Sequence, residues 1–329
     1  MKTIVKSASD AGALEMAADI IKRGGLVAFP TETVYGLGGN ALDAAACAKI
    51  YAAKGRPSDN PLISHIADID MLSQIVENVP RGTKILMDKF WPGPLTIIFP
   101  ALGGGTVGVR MPENAVALRF IRLCGVPVAA PSANVSGRPS PTSASHVLAD
   151  LDGKIDMILD GGGCKHGLES TVIDCTVTPP VILRPGAVTK EMIEAEIGPV
   201  GFVTEAGDDA PKAPGMKYRH YAPKAKLTVV VGEQVAVNAK ILQLAASAKH
   251  PKFAIMAATQ NLNTYVGYAL MDMGENPQKI AAGLFEKLRL CDEMGLDEVF
   301  VEGVAENGLG TAIMNRLKKA ASYNIIDAK

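Results

Sequence analysis

The chain has 329 residues, 48% of them hydrophobic, with 33 basic and 34 acidic side chains. This globular composition argues against a disordered chain and against a surface coated with positive charge for nucleic acid. A single core stops growing near ~250–300 residues, so two domains are expected. Five cysteines without a CxxC pair, no signal-peptide pattern and no long apolar run predict a reduced, cytoplasmic protein without disulfides or a membrane span.

The first two-thirds of the chain alternates helical and extended patterns. Amphipathic spacing predicts a helix over 10–23 that ends at Gly24-Gly25, and a buried strand follows at 26–30. Further strands are predicted at 62–66, 95–100, 107–111, 126–130, 156–160, 171–175 and 181–184. Further helices are predicted at 43–53, 69–77, 113–124 and 142–150. This alternation predicts an α/β fold, a twisted mixed sheet with flanking helices.

The composition changes near residue 200. Residues 204–226 are rich in proline, glycine and charge, which predicts an interdomain linker. Beyond it, strands are predicted at 227–231, 252–257, 267–272 and 298–302, and helices at 234–247, 276–294 and 309–321. This second alternation predicts a smaller parallel α/β domain.

Two early segments carry side chains suited to a ligand. Residues 30–38, PTETVYGLG, directly follow a predicted strand, where open α/β sheets place ligands, although a strand-to-helix turn explains the segment equally well. Residues 53–65, AKGRPSDNPLISH, place Lys54 and Arg56 in a proline-bracketed loop. Arginine binds phosphate bidentately and lysine as a point charge, so the pair suits a triphosphate. A solvated basic loop at a helix end is the alternative.

The middle of the chain lacks the usual nucleotide motifs. Residues 103–108, GGGTVG, match GxGxxG, but a strand rather than a helix is predicted after them, and no Walker A motif occurs. Residues 128–140, VAAPSANVSGRPS, offer a different cradle, because serine and asparagine beside exposed N–H groups can form an anion nest. A serine-rich turn is the alternative. The lack of a GxSxG elbow argues against Ser132 as a nucleophile.

Two later segments add polar residues. Residues 167–174, GLESTVID, and 181–186, VILRPG, predict strands with Ser170 and Arg184 at their polar ends, with a simple hairpin as the alternative. Residues 214–223, PGMKYRHYAP, interleave cations with tyrosines, which can bind phosphate or nucleic acid but by themselves favour a linker. No HExxH or EF-hand spacing predicts a metal site.

The order of the motifs is more specific than any one of them. The first 200 or so residues resemble the YrdC-like threonylcarbamoyl-AMP synthases. The motifs that carry this resemblance are, in order, TETVYGLG, KGRPSDNPLISHI, WPGPLT, VGVRMP, APSANVSGRPSPT, GLESTVID and LRPG. The rest of the chain resembles the longer members of that family, which have an extra C-terminal domain. The resemblance implies a YrdC-like catalytic domain over 1–203, a linker that acts as a lid over 204–226 and a Rossmann-like domain over 227–329.

The resemblance also implies a reaction and its residues. L-Threonine, bicarbonate and ATP would yield threonylcarbamoyl-adenylate and pyrophosphate, for the threonylcarbamoyladenosine modification of tRNA beside the anticodon. The residues that match the threonine pocket are Thr33, His65, Arg110, Ala130 and Ser170. Those that match the ATP site are Arg56, Asn60, Thr106, Ser132, Ser140, Arg184 and Tyr218. The expected catalytic set is Lys54, Arg56, Ser132 and Asn134.

Within this scheme, Lys54 and Arg56 would supply positive charge, because two anions, the carbamate and the triphosphate, must meet. Arg110 and Ser170 are hypothesised to hold the threonine carboxylate. His65 is expected to orient groups rather than act as a base. Mg²⁺ would arrive on the ATP phosphates with few protein ligands.

Two rival functions differ in class. One is a nucleic-acid-binding module, since YrdC-like domains have a concave basic face; it would show salt-dependent RNA affinity without ATP turnover. The other is a carbamoyltransferase of hydrogenase maturation, whose zinc modules and acylphosphatase unit do not fit five scattered cysteines and 329 residues. The expected partner is the downstream threonylcarbamoyl transferase machinery. A weak direct contact with tRNA is left open.

Overall fold

The computed structural model describes residues 2–203 and 220–329. The chain divides into two compact units, Met1–Ser136 with Ser140–Lys217 and Gly137–Pro139 with Tyr218–Lys329. The finer division into catalytic domain, linker and C-terminal domain stays a prediction, because residues 204–219 of the linker lie outside the described residues.

The first unit consists of short strands and helices. Its strands are β1 (Ile4–Ser7), β2 (Val27–Phe29), β3 (Gly36–Asn40), β4 (Ile63–His65), β5 (Leu95–Pro100), β6 (Thr106–Arg110), β7 (Val128–Ala129), β8 (Met157–Asp160), β9 (Thr171–Asp174), β10 (Val181–Arg184) and β11 (Gly201–Phe202). Its helices are α1 (Ala13–Lys22), α2 (Ala44–Lys54), α3 (Thr83–Phe90), α4 (Ala115–Cys124), α5 (Ala144–Leu151) and α6 (Lys190–Ile197), with a 3₁₀ helix at Ile69–Gln74.

These strands form one mixed sheet in the order β1-β8-β2-β3-β7-β4-β6-β5-β9-β10-β11. The sheet contains both parallel neighbours, such as β4 and β6, and antiparallel ones, such as β5 and β6. The strands are apolar because helices such as α1 and α4 pack on the sheet, and the core includes the fully buried Phe29, Ile97 and Phe120.

The end of α2 places two candidate cations. Asp43 caps its N-terminus by accepting a hydrogen bond from the backbone N–H of Ala45. Gly55 ends the helix in the left-handed region, at φ 60°, which a residue with a side chain rarely adopts. The chain therefore turns sharply between Lys54 and Arg56.

The predicted α/β fold class is confirmed, and most predicted elements lie within a few residues of the observed ones. The helix predicted at 69–77 is a 3₁₀ helix that ends at Gln74. Strands β1, β3 and β11 and helices α3 and α6 were not predicted. The segment of β3, GLGGN, lacks β-branched residues, and it is a strand because β2 and β7 pair with it on both sides.

The second unit contains a separate parallel sheet. Its strands are β12 (Lys226–Gly232), β13 (Phe253–Ala257), β14 (Leu270–Asp272), β15 (Glu298–Glu302) and β16 (Ile325–Ala328), in the order β14-β13-β15-β12-β16. Its helices are α7 (Gln234–Ala246), α8 (Pro277–Glu293) and α9 (Leu309–Ala320), with a 3₁₀ helix at Thr259–Tyr265. Among the described elements of this unit, β16 and the 3₁₀ helix were not predicted from the sequence. Across both described ranges, no helix has the length and apolarity needed to cross a bilayer.

Candidate active site

A row of residues crosses five neighbouring strands of the large sheet. His65 on β4 lies in register with Arg110 on β6. The antiparallel register of β5 and β6 places Thr96 opposite Arg110. Thr96 is in turn in register with Val172, which pairs with Arg184 on β10. Side chains in one row of a sheet project from the same face. We call His65, Arg110, Thr96 and Arg184 the polar row.

Arg110 is the centre of the first cluster. Its Nη1 donates to Thr33 Oγ1 at 2.9 Å and its Nε to the Gly93 carbonyl oxygen at 3.3 Å. Its Nη2 lies 2.6 Å from Glu32 Oε1, and both side chains are buried. The structure therefore brings together Thr33, His65 and Arg110, three of the residues predicted to bind threonine.

His65 is a buried, weakly basic imidazole. Its Nδ1 lies 3.2 Å from the Ile63 carbonyl oxygen, and its ring packs edge-on against Phe29 at 6.0 Å between centroids. Burial, and secondly the charge of Arg110, lower the pKa of His65 to about 3. The ring is neutral at physiological pH and a poor proton acceptor, which supports an orienting role.

Ser170 links the two predicted substrate sites. Its hydroxyl shares a hydrogen bond of 2.8 Å with Thr96 Oγ1. Arg184 donates from Nη2 to Ser170 Oγ at 3.2 Å and from Nε to the Ser170 carbonyl oxygen at 3.0 Å. A residue predicted to bind threonine and one predicted to bind ATP thus share one hydrogen-bond network.

The loop that follows β7 is held by Lys54. The Lys54 ammonium donates to the carbonyl oxygens of Ser132 and Asn134 at 2.5 Å each, and its own carbonyl accepts from Ser136 N at 2.9 Å. Ser132 Oγ donates to Asn134 Oδ1 at 2.6 Å. Lys54 is only 2% exposed. Its ammonium therefore braces the loop, and its contact with phosphate stays a prediction.

Arg56 braces the segment that leads into β4. Its Nε donates to the Asn60 carbonyl oxygen at 3.1 Å and its Nη2 to that of Pro61 at 3.0 Å. The Asn60 side chain is buried, and among the described residues its Oδ1 has no hydrogen-bond partner. A buried acceptor of this kind is costly unless a ligand supplies a donor.

Backbone hydrogen bonds tie the loops to one another. Ala130, another residue predicted to bind threonine, donates from its N–H to the Ile63 carbonyl at 2.8 Å. Ala133 N donates to the Tyr35 carbonyl at 2.8 Å, and Tyr35 N donates to that of Pro141 at 2.9 Å. The segments that carry Thr33, Lys54 and Ser132 are therefore one connected wall.

The remaining ATP-site candidates differ in their placement. Ser140 is buried and donates to Glu169 Oε1 at 2.6 Å. Thr106 is exposed at the start of β6, and Arg110 ends the same strand four residues later, so the two lie about 13 Å apart. No side-chain hydrogen bond joins Thr106 to the other described candidates. Tyr218 lies outside the described residues.

Sequence reasoning missed Glu32, Thr96 and Glu169 as members of the site. Glu32 and Glu169 lie inside the motif segments TETVYG and GLESTVID. An acidic residue beside a predicted anion site is unexpected, and it could have marked both glutamates as candidate site residues. The sequence does not show that both carboxylates are buried. Within the described residues, no group of three or more His, Cys, Asp or Glu side chains could hold a metal ion.

Known proteins share both units of the chain. Two family profiles match it, one described as "Telomere recombination" over residues 19–186 and one as "Threonylcarbamoyl-AMP synthase, C-terminal domain" over 188–322. The chain is 48% identical to the threonylcarbamoyl-AMP synthase of Pyrococcus abyssi, over 95% of each chain. It is 45% identical to that of Bacillus subtilis, over 95% of this chain and 94% of the relative.

The fold agrees with a solved structure over its whole length. The chain superposes on the crystal structure of P. abyssi Sua5 complexed with L-threonine with a TM-score of 0.92 and 45% identity, covering 100% of this chain and 99% of the other. The two profiles match successive parts of the chain, and the resemblance inferred from motif order is confirmed. The chain belongs to the threonylcarbamoyl-AMP synthase family, in the two-domain form with the additional C-terminal domain.

Proposed function

We propose that the polar row and the loop braced by Lys54 form the site at which this chain converts L-threonine, bicarbonate and ATP into threonylcarbamoyl-AMP and pyrophosphate. Family membership supports the reaction. One observation carries the location: Ser170 bonds both to Thr96, beside Arg110 in the row, and to Arg184. Residues expected to bind the amino acid and the nucleotide therefore meet within a few ångströms.

Threonine binds on the Arg110 side of this site. Arg110 offers a buried guanidinium, which suits a carboxylate because charge-assisted hydrogen bonds are stronger where water is excluded. Thr33 and Ser170 add hydroxyl groups, and Ala130 adds a small wall residue. The relative of known structure is a complex with L-threonine, and it shares 45% of its sequence with this chain.

ATP binds on the side of Arg56, Ser132 and Arg184. The loop 131–136 presents backbone and side-chain polar groups in a geometry held by Lys54. The unpaired acceptor on Asn60 suits an amine or hydroxyl donor of the nucleoside. The described residues offer no cluster of acidic ligands, so Mg²⁺ enters as part of the MgATP substrate.

The chemistry follows from this placement. The threonine amine and bicarbonate form a carbamate and release one water. A carbamate oxygen then attacks the α-phosphorus of ATP. The bond from the α-phosphorus to the bridging oxygen breaks, and pyrophosphate leaves. Arg56 and Arg184 are the proposed sources of positive charge, since the attacking group and the phosphates are both anionic. His65 is buried and neutral at physiological pH, and it orients the pocket.

The product is a mixed anhydride, which a transferase must consume before water does. The proposed consumer is the machinery that moves the threonylcarbamoyl group to a tRNA adenosine in the cytoplasm. Five free thiols suit that reducing compartment. Direct tRNA binding is the second candidate role, and salt-dependent RNA affinity without ATP turnover would favour it.

The test is pyrophosphate release with threonine, bicarbonate and ATP omitted one at a time. We expect release only when all three are present. Arg56→Ala should abolish it without unfolding the protein. Arg119→Ala is the matched control, because Arg119 is an exposed arginine that pairs with Glu15 on the surface. Equal activity of the two variants would refute the assigned site, and release without threonine would refute the reaction.

A further inference from the structure

Unpaired buried polar atoms are concentrated beside Arg110. The buried side-chain atoms that lack a hydrogen-bond partner among the described residues include Glu32 Oε1, Glu32 Oε2 and Arg110 Nη2. Glu32 is 3% exposed and Arg110 is 4% exposed. Nη2 and Oε1 lie 2.6 Å apart and form a buried ion pair. Glu32 Oε2 is therefore the atom of this pair that has neither an ion-pair nor a hydrogen-bond partner among the described residues.

A purely structural role for Glu32 would explain the position of only one of its two carboxylate oxygens. If the carboxylate served only to neutralise Arg110, Oε1 would satisfy that role and Oε2 would stay buried without any donor. Leaving a buried charged oxygen unpaired is costly, and such atoms usually mark a ligand or a strained functional group. The arrangement is complementary to an α-amino acid zwitterion, whose ammonium donates and whose carboxylate accepts at neighbouring positions.

We propose that Glu32 binds the ammonium group of threonine and accepts a proton from it. This inference rests on the proposed function and adds a catalytic residue to it. One N–H bond of the ammonium breaks and the proton moves to a Glu32 carboxylate oxygen. The freed electron pair forms the C–N bond with the carbon of bicarbonate. The nitrogen gives up a second proton and bicarbonate loses hydroxide, so one water leaves with the carbamate.

Few other titratable groups surround Glu32. Arg110 faces it from β6, with His65 next to Arg110 on β4. Cys164 and His166 face it from the segment after β8, where Lys165 pairs with Glu113 at the surface. Burial raises the pKa of Cys164 to about 12 and lowers the pKa of His166. Both are neutral between about pH 7 and 9, so neither the thiol nor the imidazole contributes to the pH dependence in that range.

The experiment compares kcat/KM for threonine across that pH range in the wild type, Glu32→Gln and the control Glu113→Gln. Glutamine keeps the shape but accepts no proton, so only threonine with a neutral amine can react. We expect Glu32→Gln to lose about 100-fold at neutral pH. As the pH rises, the ratio of the kcat/KM of Glu32→Gln to that of the wild type should increase about tenfold per pH unit, until the threonine amine is fully neutral. Glu113→Gln should follow the wild type.

Two further measurements separate the outcomes. The ATP dissociation constant should be unchanged in Glu32→Gln, which shows that the nucleotide side is intact, whereas calorimetry should show weaker threonine binding. A loss of the same factor at every pH would mean that Glu32 only positions Arg110, and unchanged activity would exclude any role; either result overturns the inference. Wild-type protein that releases no threonine-dependent pyrophosphate refutes the proposed function, and the calorimetric comparison still decides whether Glu32 binds the amino acid.

Discussion

The lowered pKa of His65 predicts a pH-dependent loss of stability. The folded protein keeps this imidazole neutral down to about pH 3, whereas the unfolded chain protonates it below about pH 6.5. Below pH 6.5 the unfolded state therefore binds more protons than the folded state. The contribution of His65 to stability is complete above pH 6.5 and is lost as the pH falls toward the folded pKa.

The magnitude follows from the gap between the two states. Each pH unit below about 6.5 removes about 1.4 kcal/mol, so at about pH 4.5 the wild type should have lost about 2–3 kcal/mol through His65 alone. His65→Asn lacks the titrating ring. Its free energy of unfolding should therefore approach, or exceed, that of the wild type as the solution is acidified, whatever their difference at neutral pH.

The assay is urea unfolding at several pH values, followed by tryptophan fluorescence. The chain has one tryptophan, Trp91, which is buried in the same unit as His65, so the signal reports on that unit. His250→Asn is the matched control, because His250 is exposed and lies in the other unit. A difference between wild type and His65→Asn that is the same at every pH would refute the reasoning.

Three further substitutions test the bracing contacts. Arg56→Lys keeps the charge but loses the fork that holds two backbone carbonyls, so the KM for ATP should rise about tenfold while the threonine KM changes little, as measured by steady-state pyrophosphate release. Lys54→Met removes the ammonium that donates to the Ser132 and Asn134 carbonyl oxygens and should destabilise the first unit by about 2–4 kcal/mol in urea unfolding followed at Trp91. An unchanged midpoint would contradict the bracing role. Thr96→Val removes the hydroxyl partner of Ser170. It should lower the free energy of unfolding by about 1 kcal/mol and raise the KM for threonine. No change in either quantity would exclude a role for this hydrogen bond in joining the threonine side of the site to the ATP side.

The sequence predicted the elements around the site well where their patterns were local. The helix that ends at Lys54 and the strands that carry Arg110 and Arg184 lie close to their predicted bounds. The strand at Gly36–Asn40 was missed because its glycines carry no strand signal, and pairing from both sides creates it. Hydrophobic periodicity indicates which face of a segment is buried, but it does not show which other segment packs or pairs with it.

The roles of the cations show the same limit. Lys54 is expected to contact phosphate, and the sequence alone does not show that its ammonium donates to the carbonyl oxygens of Ser132 and Asn134. Arg110 is expected to hold the threonine carboxylate, and the sequence alone does not show that its guanidinium is buried beside Glu32. A sequence specifies charge, but burial and partners depend on the tertiary fold, and these determine what a charged group can do.

By itself, the sequence determined the α/β class, the family and most of the candidate residues, because short motifs in a particular order are specific and secondary structure follows local periodicity. The tertiary structure decided how those residues are used. Arg110 meets Thr33 across 77 positions of sequence, and the polar row exists only because β4, β6, β5, β9 and β10 are neighbours in that order. Sheet register brings together residues that are far apart along the chain, so their contact cannot be predicted from the local sequence. The burial of the Glu32 carboxylate likewise depends on the tertiary fold and has no local sequence pattern.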